Sequence, residues 1–152
     1  MLAAYCSKGK TMETIVVIDG QCGGIGSSII KKLKESYAER IEIIALGTNA
    51  VATANMLKAG ANRGASGQNA IVRTSRHADI IIGPISIVMA NAMLGELTPG
   101  IAEAVASSRA KKILIPLSQE NVAVVGASSD RLPKLIETML AENLLNFATA
   151  KE

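Results

Sequence analysis

The chain has 152 residues, of which 49% are hydrophobic and 19% charged, and a formal net charge of +3. This composition predicts one globular domain of ordinary size and excludes a mainly disordered chain. With no Trp, one Phe and two Tyr, the core is expected to be aliphatic. The chain also lacks the aromatic surface on which nucleic acids stack, and its basic residues are scattered, so no nucleic-acid partner is expected.

The sequence also carries signals about cellular location. The longest uncharged run, residues 80–95, contains Gly, Pro and Asn and is shorter than the roughly 20 apolar residues of a membrane span. The first ten residues lack an export pattern, and Cys6 and Cys22 match neither a metal site nor a disulfide framework. We therefore expect a cytoplasmic protein without membrane or metal partners. Residues 1–12 are expected to form a flexible tail and residues 13–150 a single domain.

Apolar runs alternate with segments of helical period along the chain. Strands are predicted at residues 15–19, 41–46, 79–82, 112–116 and 122–125, with a further candidate at Ile71 and Val72. Helices are predicted from Ile25 to Tyr37, over residues 50–59, from Thr98-Pro99 to Ser108, and from Leu132 to Phe147. This alternation predicts an α/β fold with a doubly wound, mainly parallel and Rossmann-like sheet of five or six strands.

Two segments are harder to assign. Residues 85–94, ISIVMANAML, are apolar on all sides, which predicts either a buried helix or a subunit contact. We expect a homo-oligomer, a dimer or larger, partly on this basis. Residues 60–69, GANRGASGQN, are predicted to be a polar loop, in which Arg63 either clamps a phosphate or is simply solvent-exposed.

Residues 20–27, GQCGGIGS, lie between the first predicted strand and the first predicted helix, and we call them the glycine-rich segment. Gly20 would let the chain reverse tightly, Gly23 and Gly24 would leave room for a phosphate, and Gly26 would let the helix pack closely. Free amides at a helix start attract anions, so the segment predicts a nucleotide site; the alternative is that its glycines serve packing alone. The predicted ligand contacts here are Gly20, Gln21, Gly23, Gly24, Ile25, Gly26 and Ser27.

The glycine spacing limits the chemistry. Gly20, Gly24 and Gly26 resemble the motif of short-chain dehydrogenases/reductases, but the Tyr-x-x-x-Lys of that family is absent. The segment also looks like the deviant phosphate loop of partitioning ATPases, yet Ser27 and Cys22 stand where that motif has lysines. Without those cations, hydrolysis of a nucleoside triphosphate is not expected.

The second predicted strand is followed by Gly47, Thr48 and Asn49, where dinucleotide-binding folds place an acidic residue that binds the ribose hydroxyls. Because the chain has no acid there, NADP or a mononucleotide is favoured over NAD. Thr48 and Asn49 are predicted to contact the ligand or to cap the next helix, and both roles are compatible.

Further candidate ligand-binding and catalytic residues lie mainly outside the glycine-rich segment. Gly83 and Pro84 end a predicted strand and are expected to form the opposite wall of the crevice, with Ser86 beside them. Asp19, Arg63 and Ser86 are weak catalytic candidates, and no metal-ligand set is expected. The other role for Asp19 is to bond the turn amides. Cys22 is either a reactive thiol or a small residue tolerated in a turn.

Four long blocks of this sequence resemble an uncharacterised bacterial family of domains of unknown function, numbered three-eight-four-two. They are VIDGQCGGIG, EIIALGTNAVATANMLKAGANRGASGQNAIV, ADIIIGPISIVMANAMLGELTP and KKILIPL. The resemblance implies a Rossmann-like fold and supplies no catalytic residues. Two functions therefore stay open: a protein that binds a nucleotide or dinucleotide, with or without catalysis, and a non-enzymatic oligomeric module without such a ligand.

Overall fold

The computed structural model describes residues 12–117 and 120–144, which build one parallel sheet with helices on both faces. The strands are β1 (Glu13–Asp19), β2 (Ile41–Gly47), β3 (Arg63–Ser66), β4 (Ile80–Pro84) and β5 (Lys111–Ile115). All four strand pairings are parallel, and the strand order is β3-β2-β1-β4-β5. The predicted α/β, doubly wound, Rossmann-like fold is confirmed.

The helices separate into two layers. They are α1 (Gly24–Tyr37), α2 (Ala50–Lys58), α3 (Gln68–Ser75), α4 (Pro99–Ser107) and α5 (Leu132–Met139), with 3-10 helices at Ala38–Arg40 and Ile85–Val88 and a π-helix at Leu140–Leu144. Helices α1, α2 and α5 pack on one face of the sheet, and α3 and α4 pack on the other. Each face has an aliphatic core, as the composition predicts.

The central strand β1 explains why the sheet needs both layers. Ile15 and Val17 contribute to the core under α1, whereas Val16 and Ile18 contribute to the core under α3 and α4. β-Branched residues favour the extended backbone, and a strand covered on both faces is apolar throughout. The run IVVI therefore places the next residue, Asp19, at the carboxyl edge of a rigid sheet.

The cap predictions agree with the hydrogen bonds. Asn49 Oδ1 accepts a hydrogen bond of 2.9 Å from the Ala52 amide at the start of α2. Thr98 Oγ1 accepts one of 3.2 Å from the Ile101 amide at the start of α4, where Pro99 is the first helical residue. Gly60 follows α2 with φ +121°, a conformation that L residues rarely adopt.

The third strand was predicted in the wrong place. It is β3, inside the expected loop, whereas Ile71 and Val72 belong to α3. All four residues of β3 are exposed, so this edge strand has no apolar run to reveal it. Ile71 is fully buried against the sheet as one residue of a helical face.

Two other predictions are corrected. Residues 85–94 are not a continuous helix: after the 3-10 helix, the chain turns through left-handed conformations at Asn91, Met93 and Leu94 (φ +64°, +56° and +55°). Most of this run packs into the core of its own chain, although Leu94 is 98% exposed. Residues 122–125 form an exposed loop rather than a strand, because the sheet ends at β5.

The predicted tail at residues 1–11 and Phe147 of the closing helix lie outside the described residues, while Met12 is exposed. Within the two described ranges, every helix is too short or too polar to cross a bilayer.

Adjacent glycines at the start of α1 give a test of this packing. Gly23 has φ +71°, and a Cβ atom there would lie 2.8 Å from the Ala52 carbonyl oxygen in α2. We expect Gly23→Ala to lower the free energy of unfolding by about 2–4 kcal/mol, from left-handed strain plus the clash. Gly24→Ala is the matched control, because a Cβ there meets nothing within 4 Å. Urea denaturation measures both, and equal stability of the two variants would contradict the packing role of Gly23.

Candidate functional site

The carboxyl edge of the sheet contains the topological switch point. Strand β1 lies between β2 and β4, and the chain leaves β1 toward one face of the sheet and β4 toward the other. Open α/β sheets bind their ligands in the crevice that forms at such a point. Here the crevice is bounded by the glycine-rich segment after β1, by Thr48 and Asn49 after β2, and by residues 85–97 after β4.

The Asp19 carboxylate holds the start of the turn and of α1. Its Oδ1 accepts a hydrogen bond from the Gly20 amide and its Oδ2 accepts one from the Gly26 amide, both at 2.8 Å. Asp19 is only 4% exposed. It therefore bonds the turn amides, the second of the two roles considered for it, and it occupies the anion-attracting start of the helix with a group of the chain itself.

Other side chains fix the turn at residues 20–23. Asn49 Nδ2 donates to the Gln21 carbonyl at 3.0 Å, and Asn55 Nδ2 donates to the Cys22 carbonyl at 2.9 Å. The Gly23 amide closes the turn on the Gly20 carbonyl at 2.8 Å. The backbone of the turn is therefore hydrogen-bonded at three points by other groups of the chain.

Glu96, from a segment that follows β4, also contacts the turn. We call residues 89–97 the covering loop. The Glu96 Oε2 atom accepts hydrogen bonds from the Gln21 amide at 2.8 Å, Thr48 Oγ1 at 2.6 Å and Asn49 Nδ2 at 2.9 Å. Three donors from the ends of β1 and β2 thus converge on one carboxylate oxygen. The covering loop is also tied to residue 120, because Glu120 Oε1 accepts from the Met93 amide at 2.8 Å.

The two carboxylates have pKa values that shift in opposite directions. Burial raises the pKa of Asp19; the amides of Gly26 and Gly20 oppose this rise, and the negative charge of Glu96 adds to it. At Glu96, partial burial raises the pKa, but the hydrogen bonds from Thr48, Gln21 and Asn49 together outweigh it, so the net pKa lies below 4.5. Glu96 is therefore an ionised acceptor at neutral pH.

The glycines of the segment have different structural roles. A Cβ atom at Gly26 would lie 2.5 Å from Met56 Sδ and 3.0 Å from Asp19 Cβ, so Gly26 permits close helix packing, as expected. A Cβ atom at Gly20 would meet Met93 Sδ at 2.5 Å and Thr48 Oγ1 at 2.6 Å, beneath the covering loop. Among these residues, Gly24 has open space beside it.

Two expectations about the site need correction. The amides of Gly20, Gln21 and Gly26 are not free for a phosphate, because Asp19 and Glu96 already accept from them. The end of β2 does not lack a carboxylate, because the covering loop brings Glu96 to Thr48. NADP is therefore no longer favoured over NAD by the absence of an acid at this position.

The remaining predicted residues are not all brought together. Gly83 and Pro84 end β4 at the same edge as Asp19, followed by the buried Ser86, and Gly83 is packed against the Ile18 carbonyl. Arg63 begins β3 at the opposite, amino edge and pairs with Glu42, Nε to Oε1, at 2.8 Å. The three catalytic candidates therefore do not form one constellation.

Two side chains of the glycine-rich segment differ in their surroundings. Ser27 Oγ is buried and finds no hydrogen-bond partner among the described residues. Cys22 is exposed as a free thiol. Within the same described part of the chain, no group of three or more His, Cys, Asp and Glu residues is placed to hold a metal ion.

Glu96, Met93 and Asn55 were missed from the sequence. Asn55 lies in a short helix, and only folding places its amide on the turn. Glu96 offered one signal: it is the first charged residue after the apolar run that begins at Ile80. Nothing local indicates that its partners lie 47, 48 and 75 residues earlier in the chain.

The fold and this edge define a doubly wound α/β protein with a glycine-rich turn at its switch point. The chain belongs to the family described as a domain of unknown function (DUF3842), whose model matches residues 14–147. The family resemblance read from the sequence is thereby confirmed. A search of curated proteins gives no match. Among solved structures, the chain is similar to a universal stress protein crystallised in complex with cAMP, with a TM-score of 0.40 and 19% identity, covering 68% of this chain and 95% of that one.

The Glu96 anchor predicts a pH-dependent stability. Because folding lowers the pKa of Glu96 below 4.5, its ionised form stabilises the fold at neutral pH, and this contribution is lost as the pH falls through the lowered pKa. We expect Glu96→Gln to lower the free energy of unfolding by about 1 kcal/mol at pH 7, since the group is partly exposed, and to differ less from the wild type at acidic pH.

Urea denaturation at neutral and acidic pH measures this difference. Glu103→Gln is the control, because Glu103 is exposed on α4. A Glu96→Gln deficit that stays constant with pH would show that the charge of Glu96 does not hold the covering loop.

Proposed function

We propose that this protein binds a mononucleotide at the carboxyl edge of β1 and β2, with the ribose hydroxyls bonded to Glu96. The observation that carries the proposal is the hydrogen bonding and exposure of this carboxylate. Its Oε2 accepts three hydrogen bonds, whereas its Oε1 has no hydrogen-bond partner among the described residues, and the residue is partly exposed. An ionised oxygen without a partner, on a partly exposed residue, is an acceptor for a sugar diol.

The place of this oxygen in the fold supports a ribose as its partner. Dinucleotide-binding folds of this topology hold the ribose hydroxyls with an acidic residue at the end of the second strand. In this chain Glu96 lies 2.6 Å from Thr48, the first residue after β2, although it comes from another element. A carboxylate in the expected position with an unusual origin serves the same chemistry.

Asp19 already occupies the amides of Gly20 and Gly26, so the phosphate of the ligand would have to lie at the exposed Gly24. The amides of Gly20, Gln21 and Gly26 are engaged, and the carboxylates of Asp19 and Glu96 repel further negative charge. Open space remains at Gly24, whereas the unpartnered Ser27 hydroxyl is buried. The glycine-rich segment contains no lysine or arginine that could neutralise a phosphate group. A ligand of low negative charge is therefore favoured over a polyphosphate.

The same carboxylate argues against a 2′-phosphorylated cofactor. A phosphate on the ribose would meet Glu96 as a like charge and would remove the hydroxyl donor. NAD and NADP therefore become a discriminating pair of ligands, and the order expected from the sequence is reversed. No reaction is part of this proposal, because both oxygens of Asp19 are bonded to backbone amides and Arg63 lies at the other edge.

Calorimetric titration with the four nucleoside monophosphates, ATP, NAD and NADP tests the proposal. We expect at least one monophosphate to bind more tightly than its triphosphate. Its 2′-deoxy form should bind about ten-fold or more weakly, since a hydrogen bond to a charged group is worth about 1.5–3 kcal/mol. Glu96→Gln should cause a similar loss, and Glu103→Gln should not.

Thermal unfolding provides a second readout, because a ligand at 100 times its dissociation constant stabilises the fold by about 2.7 kcal/mol. No heat and no thermal shift with any of these nucleotides at millimolar concentration would overturn the proposal. Binding of NADP equal to that of NAD would overturn the role of Glu96.

Homo-oligomerisation stays a separate expectation. The nearly fully exposed Leu94 and Val125 are apolar side chains that such an interface would cover. Light scattering measures it directly, and a strict monomer would contradict it.

A further inference from the structure

A second concave surface lies on the other side of β2, away from the glycine-rich segment. It is a cleft of about 480 Å³ between the exposed edge strand β3 and the last turn of α3. Its apolar floor is formed by Ile44 and Leu46 of β2, and the small side chain of Ala65 in β3 leaves it open. Binding sites for small molecules commonly have volumes of 300–1,000 Å³ and apolar walls with a few polar groups.

The polar groups of this cleft include two cations. Arg63 and Arg73 line it, together with the hydroxyls of Thr14 and Thr74 and the imidazole of His77. Two acidic residues, Glu42 and Asp79, lie nearby. Glu42 Oε1 lies 2.8 Å from Arg63 Nε and thereby orients the guanidinium at the wall of the cleft.

The neighbouring Asp79 carboxylate is also engaged, because it accepts a hydrogen bond of 2.9 Å from the Thr14 amide. The Arg73 guanidinium has no ion pair or hydrogen bond within the described residues. One cation of the cleft is therefore available for a ligand.

From this arrangement we infer that the cleft binds an organic anion, a phosphate or carboxylate carried on a compact apolar body. A guanidinium forms paired hydrogen bonds with the oxygens of either anionic group. Arg73 and the oriented Arg63 lie on two different walls, so the anion would be held between them. The body of the ligand would cover the exposed part of Ile44, and Ala65 would limit its size.

This cleft is distinct from the nucleotide site. Thr14 and Arg63, near the amino ends of β1 and β3, line the cleft, whereas Thr48 follows the carboxyl end of β2. The cleft also lies on the α3 face, where Ile44 and Leu46 belong to the second core. The inference does not depend on Glu96, and its test can fail independently of the proposed function.

NMR titration of the full chain with phenyl phosphate tests the inference, with benzoate, inorganic phosphate and benzyl alcohol as comparison probes. We expect phenyl phosphate or benzoate to shift the amide resonances of residues 63–65 and 73–77, and neutral benzyl alcohol to bind at least ten-fold more weakly. Arg73→Gln should weaken binding about ten-fold through the loss of a charge-assisted hydrogen bond.

Two further variants make the result specific. Arg76→Gln removes an exposed arginine of the same segment that does not line the cleft, so binding should stay unchanged. Ala65→Leu fills the cleft without changing its charge and should abolish binding while the circular dichroism spectrum is kept.

The inference is overturned if neither organic anion shifts these resonances at millimolar concentration, or if Arg76→Gln weakens binding as much as Arg73→Gln. Unchanged binding in Ala65→Leu would equally overturn it. Loss of phenyl phosphate binding in Glu96→Gln would show that the probe occupies the nucleotide site instead.

Discussion

One carboxylate oxygen, Glu96 Oε2, fixes the arrangement of the carboxyl edge, because it joins segments that follow β1, β2 and β4. The covering loop that carries it holds three non-glycine residues with positive φ, Asn91, Met93 and Leu94, each at a cost of about 1–3 kcal/mol. Such a backbone persists only where its ends are held. The Glu96 contacts, together with the Asn91 amide on the Leu97 carbonyl at 2.7 Å, hold them here.

The negative charge of Glu96 helps to raise the pKa of Asp19, yet the two carboxylates have different structural roles. Asp19 is buried and gives both oxygens to the backbone, so it shapes the turn and is closed to a ligand. Glu96 is partly exposed and gives one oxygen to the protein. The edge therefore contains one buried carboxylate that holds the turn and one partly exposed carboxylate that joins three segments of the chain.

The sequence predicts those parts of the structure that depend on local pattern. The buried strands, helix α1 and the caps at Asn49 and Thr98 follow from periodicity and from side chains acting within a few residues. Strand β3 was missed because an exposed edge needs no apolar run, and its pairing with β2 is set by the whole sheet. The glycine-rich segment was found, but its occupation by Glu96 depends on contacts between residues far apart in the chain. Pattern alone cannot show such contacts.

The bare outer side of β3 has a consequence for the behaviour of this protein in solution. An unpaired strand edge is a template for another chain and hence for aggregation, and proteins limit this hazard with short edge strands and charged side chains. With four residues and an arginine at its start, β3 has both protections. The same guanidinium that lines the cleft thus also serves as a gatekeeper that keeps neighbouring molecules from extending the sheet.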